Sequence, residues 1–255
     1  MFGLAVAAVG SAFAVESSNI VGYNQNTLQE GMTMVAPTFL NLGATGQFTL
    51  ADLSVNGYDE GDAWGDVNIQ TLDSMGRAVT DSESRPIKYY WQDNEDYDTV
   101  GWYDGYDNPV DASNVVFTAG AGLWVHGLEA NNLQAAGQVN TADVAIALVD
   151  GMNATGNPFP VARTLAQIYV TGYDEGDAWG DVNIQTLDSM GRTVVDGSNR
   201  PIMYYWQDNE DYDEAGWYDG YDNPVEANTV QFAAGAGLWV HGVAGNNLVF
   251  TAPSL

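Results

Sequence analysis

The sequence predicts an all-β protein built as two tandem antiparallel β-sandwich or barrel-like domains of about 115 residues each, with little helix. Three observations predict it. Residues 57–77 read GYDEGDAWGDVNIQTLDSMGR, and residues 172–192 repeat all twenty-one letters at an offset of 115. A period this long exceeds any solenoid or propeller-blade repeat, so each copy reads as a whole domain. Short alternating apolar runs bounded by Gly, Asn, Asp and Pro dominate both copies, which is the strand signature.

The repeat continues through PIKYYWQDNEDYD (86–98) and PIMYYWQDNEDYD (201–213), GWYDGYDNPV (101–110 and 216–225) and GAGLWVHG (120–127 and 235–242). Upstream, LQEGMTMVAPTF (28–39) aligns with LVDGMNATGNPF (148–159) at an offset of 120, so the second copy has lost five residues before TLAQIYV (164–170). In the first copy the pattern places strands near 20–23, 32–36, 67–72, 87–91, 101–103, 115–118, 123–126 and 133–135. Helix is expected only at 50–53, at its equivalent 165–168, and over 141–148. The boundary falls near Gly137–Thr141, giving domains over 15–138 and 139–255.

Residues 4–14 (LAVAAVGSAFA) end in Ala12-Phe13-Ala14, an A-x-A cleavage pattern, and read as a signal peptide covering 1–14. The expected location is therefore secreted, extracellular or cell-surface. The run is shorter than the roughly 20 residues a membrane span needs, and no other segment qualifies. The chain has no cysteine, so packing, metal ions or assembly must replace disulfides.

A net charge of -28, from 34 acidic and 6 basic side chains, argues against nucleic acid or an anionic membrane as partner. Lys88 is the only lysine, and its counterpart is Met203. With 45% apolar residues and abundant Trp and Tyr the chain has material for two cores, so it reads as folded.

The acidic residues gather in runs. Asp59, Asp62, Asp66 and Asn68 recur as Asp174, Asp177, Asp181 and Asn183, and Asp93, Asp96 and Asp98 recur as Asp208, Asp211 and Asp213. Such runs repel internally, and Ca2+, which takes 6–8 oxygen ligands in flexible geometry, would relieve that. The spacing fails the EF-hand loop, because Gln70 occupies the third ligand position. A solvated acidic surface is the alternative.

Trp64, Trp102 and Tyr106 recur as Trp179, Trp217 and Tyr221. Among Asp and Asn they are what a sugar-binding face or a protein interface uses. Trp64 and Trp102, in Gly- and Asp-rich surroundings, are the expected exposed rings, with Asp62 and Asp104 beside them and Trp179, Trp217, Asp177 and Asp219 in the second copy. Trp124 and one of Tyr89 and Tyr90 are expected to face inward. His126 and His241, one per copy, read as structural residues, because one imidazole per domain is a poor zinc set.

SSNIVGY (17–23), EGM, GD.NIQ, YYW, GWYD, G.GLWV and a closing GQV resemble a family of secreted β-rich proteins from bacteria of the Planctomycetes and Verrucomicrobia group. The resemblance implies secretion and a β fold, and no reaction. No nucleophile elbow, Walker loop, HExxH or Ser-His-Asp pattern appears, so the expectation is not an enzyme. It is a self-assembling structural protein, a surface-layer, matrix or filament subunit, calcium-stabilised and forming a homo-oligomer or polymer through strand edges, with Val15–Tyr23 suited to strand addition. The alternative is a carbohydrate-binding protein with one site per repeat.

Overall fold

A computed structural model describes residues 21–41, 47–58, 62–94, 100–174, 177–188, 191–209 and 215–254; the side chains of Asp62, Trp64, Asn94, Asp177, Trp179 and Asn209 lie outside the description. Residues 1–14, expected to be a signal peptide, lie outside the described residues.

The chain is all-β. Copy one contributes β1 (Val21–Thr27), β2 (Gly31–Val35), β3 (Phe48–Thr49), β4 (Leu53–Asn56), β5 (Asp62–Thr71), β6 (Lys88–Asn94), β7 (Gly101–Asp104), β8 (Val116–Phe117), β9 (Leu123–Gly127) and β10 (Asn132–Gln138). Copy two repeats them as β11 (Val144–Ala147), β12 (Gly151–Gly156), β13 (Arg163–Thr164), β14 (Ile168–Thr171), β15 (Asp177–Gln185), β16 (Met203–Asn209), β17 (Gly216–Asp219), β18 (Gln231–Phe232), β19 (Gly237–Gly242) and β20 (Asn247–Phe250). Each copy forms a three-stranded sheet (β1-β10-β4, β11-β20-β14), a five-stranded sheet (β2-β9-β5-β6-β7, β12-β19-β15-β16-β17) and a two-stranded ribbon (β3-β8, β13-β18), all antiparallel. None of these sheets closes into a barrel.

Alternation assigns the faces. Leu53 and Val55 on β4 and Leu133 and Ala135 on β10 face Ile69, Leu123 and Val125 of the larger sheet, and together they make the first core. Ile168, Val170, Leu248, Phe250, Ile184 and Val240 make the second. The expected helical turns at 50–53 and 165–168 are single 3-10 turns, Leu50–Asp52 and Leu165–Gln167. The Thr49 hydroxyl donates to the Asp52 carboxylate at 2.8 Å. The expected helix over 141–148 is a correction: Val144–Ala147 is an edge strand on β20, where β-branched Val144 and Ile146 fit the pleat. It is also the first strand of copy two, where the sequence has no counterpart of the IVGY at 20–23.

The two copies meet around a pseudo-two-fold. Val35 bridges to Ala236, and its counterpart Thr155 bridges to Ala121. The Ala36 N–H donates to the Gly235 carbonyl at 2.9 Å, and the Gly156 N–H to the Gly120 carbonyl at 3.0 Å. Reciprocally, Trp239 packs on Gly76 and Trp124 on Gly191. Trp124, expected to face inward, lies on the face opposite Leu123 and Val125, where the other copy covers it. Among the described residues no helix is long and apolar enough to cross a membrane.

Candidate functional site

A five-residue turn beginning with aspartate recurs three times per copy, at 73–77, 81–85 and 104–108 and at 188–192, 196–200 and 219–223. In each, one carboxylate oxygen accepts the backbone N–H four residues on: Asp73 from Arg77 at 2.9 Å, Asp81 from Arg85 at 3.0 Å and Asp104 from Asn108 at 3.0 Å. Copy two repeats this with Asp188, Asp196 and Asp219. The fourth residue takes positive φ, as at Gly76 (72°), Ser84 (63°) and Asp107 (61°), where a short polar side chain or Gly is tolerated. Each of these acids therefore caps its own turn.

Two such turns wall a cleft of about 710 Å3 in copy one, where β6 extends beyond the end of β7. Its lining includes Asp81, Arg85, Lys88, Tyr89, Tyr90, Asp104, Tyr106 and Asp111. An equivalent cleft of about 550 Å3 in copy two is lined by Asp196, Arg200, Met203, Tyr204, Tyr205, Asp219, Tyr221 and Glu226. The Tyr106 hydroxyl donates to Asp81 at 2.6 Å, and the Arg85 guanidinium lies 4.1 Å from the centre of the Tyr106 ring. Tyr221 repeats this with Asp196 at 2.8 Å and Arg200 at 4.0 Å. Tyr106 is 51% exposed and Tyr221 53%.

The Arg85 backbone N–H, helped by the Glu83 N–H and the Arg85 charge, holds Asp81 below the ordinary carboxylate value, and Arg200 and Ser198 do the same for Asp196. Burial, with the Asp104 charge opposite, pushes the Tyr89 phenol up; Tyr204 responds alike to burial and Asp219.

Of the expected aromatic contacts, Tyr106 and Tyr221 line the clefts. Trp102 and Trp217 do not: each is 5% exposed. Trp102 stands opposite Trp91 in the β6–β7 ladder, on the core side, edge-on to it at 5.3 Å, and donates its indole N–H to the Leu53 carbonyl at 3.0 Å. Trp217 repeats this with Trp206 and Ile168. The strand pairing, and not the Gly and Asp around these rings, decides their face. Tyr89 packs against the core, as expected for one of the tyrosine pair. The side chains of Trp64 and Trp179 lie outside the description, although their backbones pair with Gln92 and Gln207.

Asp62 opposes Asn94 across β5 and β6, and Asp177 opposes Asn209 across β15 and β16. Asp59, Asp96, Asp98, Asp211 and Asp213 lie outside the described residues. Asp66, Asp93, Asp181 and Asp208 are half-buried, and Asp174 is exposed. Asn68 and Asn183 sit elsewhere, mid-sheet between His126 and Tyr90 and between His241 and Tyr205. Asp93 is three β6 residues beyond Asn68's partner, roughly 10 Å along the strand and on the other face. Among the described residues, no three or more His, Cys, Asp or Glu side chains converge to hold a metal ion.

No known protein family matches the chain, and no curated protein or solved structure matches it either.

Proposed function

We propose that the chain is a non-catalytic extracellular carbohydrate-binding protein with one cleft per copy. The observation that carries this reading is the duplicated cleft, in which an exposed tyrosine ring is held by an aspartate and an arginine in both copies. An anchored aromatic ring offers a sugar its apolar face at little entropic cost, while the carboxylates and tyrosine hydroxyls on the lining meet hydroxyl groups. Two sites on one chain provide avidity toward a polymer. The A-x-A pattern over residues 4–14 supports secretion.

The test is a glycan array with wild type, Tyr106→Ala, Tyr221→Ala and the double variant, with calcium present. Each single variant retains one site and loses avidity, and the double variant loses binding. An array on which wild type shows nothing above background removes the reading.

A second reading, a self-assembling matrix or filament subunit bridged by calcium, is favoured by one observation. β1 is an edge strand whose Val21 and Tyr23 are 60% and 59% exposed, and open strand edges recruit other chains. Residues 21–23, expected to add to a neighbour's sheet, pair with β10 of their own chain, so only the outer edge of β1 is left for a partner. Light scattering with millimolar calcium and after chelation tests it: a monomer in both conditions removes it.

A further inference from the structure

The linings of the two clefts differ in one charge. Asp81, Arg85, Asp104 and Asp111 of the first have same-sign counterparts in Asp196, Arg200, Asp219 and Glu226 of the second, whereas Lys88 is replaced by Met203. Resting on the carbohydrate-binding reading above, we propose that the copy-one cleft takes an anionic sugar residue, a uronate or a sulfate ester, through Lys88, and that the copy-two cleft takes a neutral one.

The other charges of the first cleft are already committed. Asp81 accepts the Glu83 and Arg85 N–H groups and the Tyr106 hydroxyl. Asp104 accepts the Tyr106 and Asn108 N–H groups. Asp111 accepts the Ser113 hydroxyl at 2.6 Å and the Asn114 amide at 2.9 Å. Arg85 pairs with Asp81 and Glu83. Among the described residues the ion pairs are made by Arg77, Arg85, Arg192 and Arg200, and Lys88 makes none.

In a chain of net charge -28 the single lysine is thus half-buried in a cleft and, among the described residues, forms no ion pair with a carboxylate. An ammonium there is a point charge that a ligand carboxylate or sulfate can meet with charge-assisted hydrogen bonds. Charges elsewhere on the chain are screened beyond about 8 Å at physiological salt, while inside the cleft Arg85 and the N–H and O–H groups donated to Asp81, Asp104 and Asp111 offset part of their negative field. In the second cleft the methionine thioether offers apolar contact alone.

Calorimetric titration of the full chain tests this with three probes: an oligouronate, a sulfated oligosaccharide of the same length, and the oligouronate reduced at its carboxyls. An acidic probe binds wild type at one site per chain, about tenfold or more weaker in Lys88→Met, and at two sites in Met203→Lys. The reduced probe binds without regard to either substitution. Whichever acidic probe binds identifies the anionic group. Equal acidic binding at two wild-type sites, or unchanged binding in Lys88→Met, overturns the proposal while leaving carbohydrate binding in place. Binding of none of the three removes the carbohydrate reading and this proposal with it. Each variant places in one copy the residue the other already carries, so both fold.

Discussion

Gly76 lies against the six-membered ring of the Trp239 indole, so close that a Cβ at this position would fall inside the ring's van der Waals surface. The contact depends on the local turn. The Asp73 carboxylate gathers the Met75 and Arg77 N–H groups, and Gly76 takes φ 72°, which a residue with a Cβ adopts only with strain. Gly191 presents the same surface to Trp124.

Gly76→Ala should therefore destabilise the chain by about 2–4 kcal/mol, from left-handed strain plus overpacking. Combining it with Trp239→Ala should return part of that loss, with a coupling of about 1 kcal/mol or more in a double-mutant cycle measured by chemical denaturation. Strict additivity would show that the two groups do not press on each other in solution.

Trp102→Ala and Trp217→Ala should each cost about 3–5 kcal/mol, as large-to-small changes in a core do. Trp102→Phe, by contrast, should leave the affinity for any cleft ligand unchanged. An affinity loss without a stability loss would return Trp102 to the binding surface.

Arg163 is 4% exposed and its Nε and Nη2 have no hydrogen-bond partner among the described residues, with the Phe159 ring 4.8 Å below the guanidinium. Burial lowers its affinity for the proton, with Asp143 opposing. The equivalent residue in copy one is Phe48. Arg163→Met should be neutral or stabilising by up to about 4 kcal/mol, because it removes a buried charge at matched volume. A clear fall in melting temperature would contradict this.

Asp81 and Asp196 have lowered native pKa values, so the stability they contribute is present above the ordinary carboxylate value of 3.8. It is lost as the pH falls below that through the native values. Tyrosine ring resonances of Tyr106 and Tyr221 should therefore shift together below about pH 4. Asp81→Asn should abolish the shift of Tyr106 alone. A Tyr106 shift that persists in this variant would assign it to another group.

Much of the fold was legible because burial in these sheets is written in alternation. Leu123 and Val125 declare a core face, and the twenty-one repeated letters declare that β15 copies β5. What failed had its cause elsewhere in the chain. Nothing near Trp124 says that a glycine 67 residues away covers its ring, so a tryptophan between two core residues read as core. The helix expected over 141–148 lost to pairing with β20, more than 100 residues downstream. At the candidate site, composition points to Tyr106, and the acidic runs point to Asp62, Asp93 and Asp104, while Asp73 and Asp81 lie outside those runs. The recurrent spacing of Asp73, Asp81 and Asp104 to an Arg or Asn four residues later was a signal in the sequence for turn caps, and it separates these acids from the runs around Asp62 and Asp93.

The reciprocal contacts between the halves have a genetic consequence. In a homodimer every substitution is made twice and must suit both sides of the symmetry axis at once. Here each side is encoded separately, so Met34 can face Gly237 while its counterpart Ala154 faces Gly122. The chain can dock as a dimer docks while its two faces are free to differ one codon at a time, and the clefts are under the same freedom, with Lys88 in one and Met203 in the other.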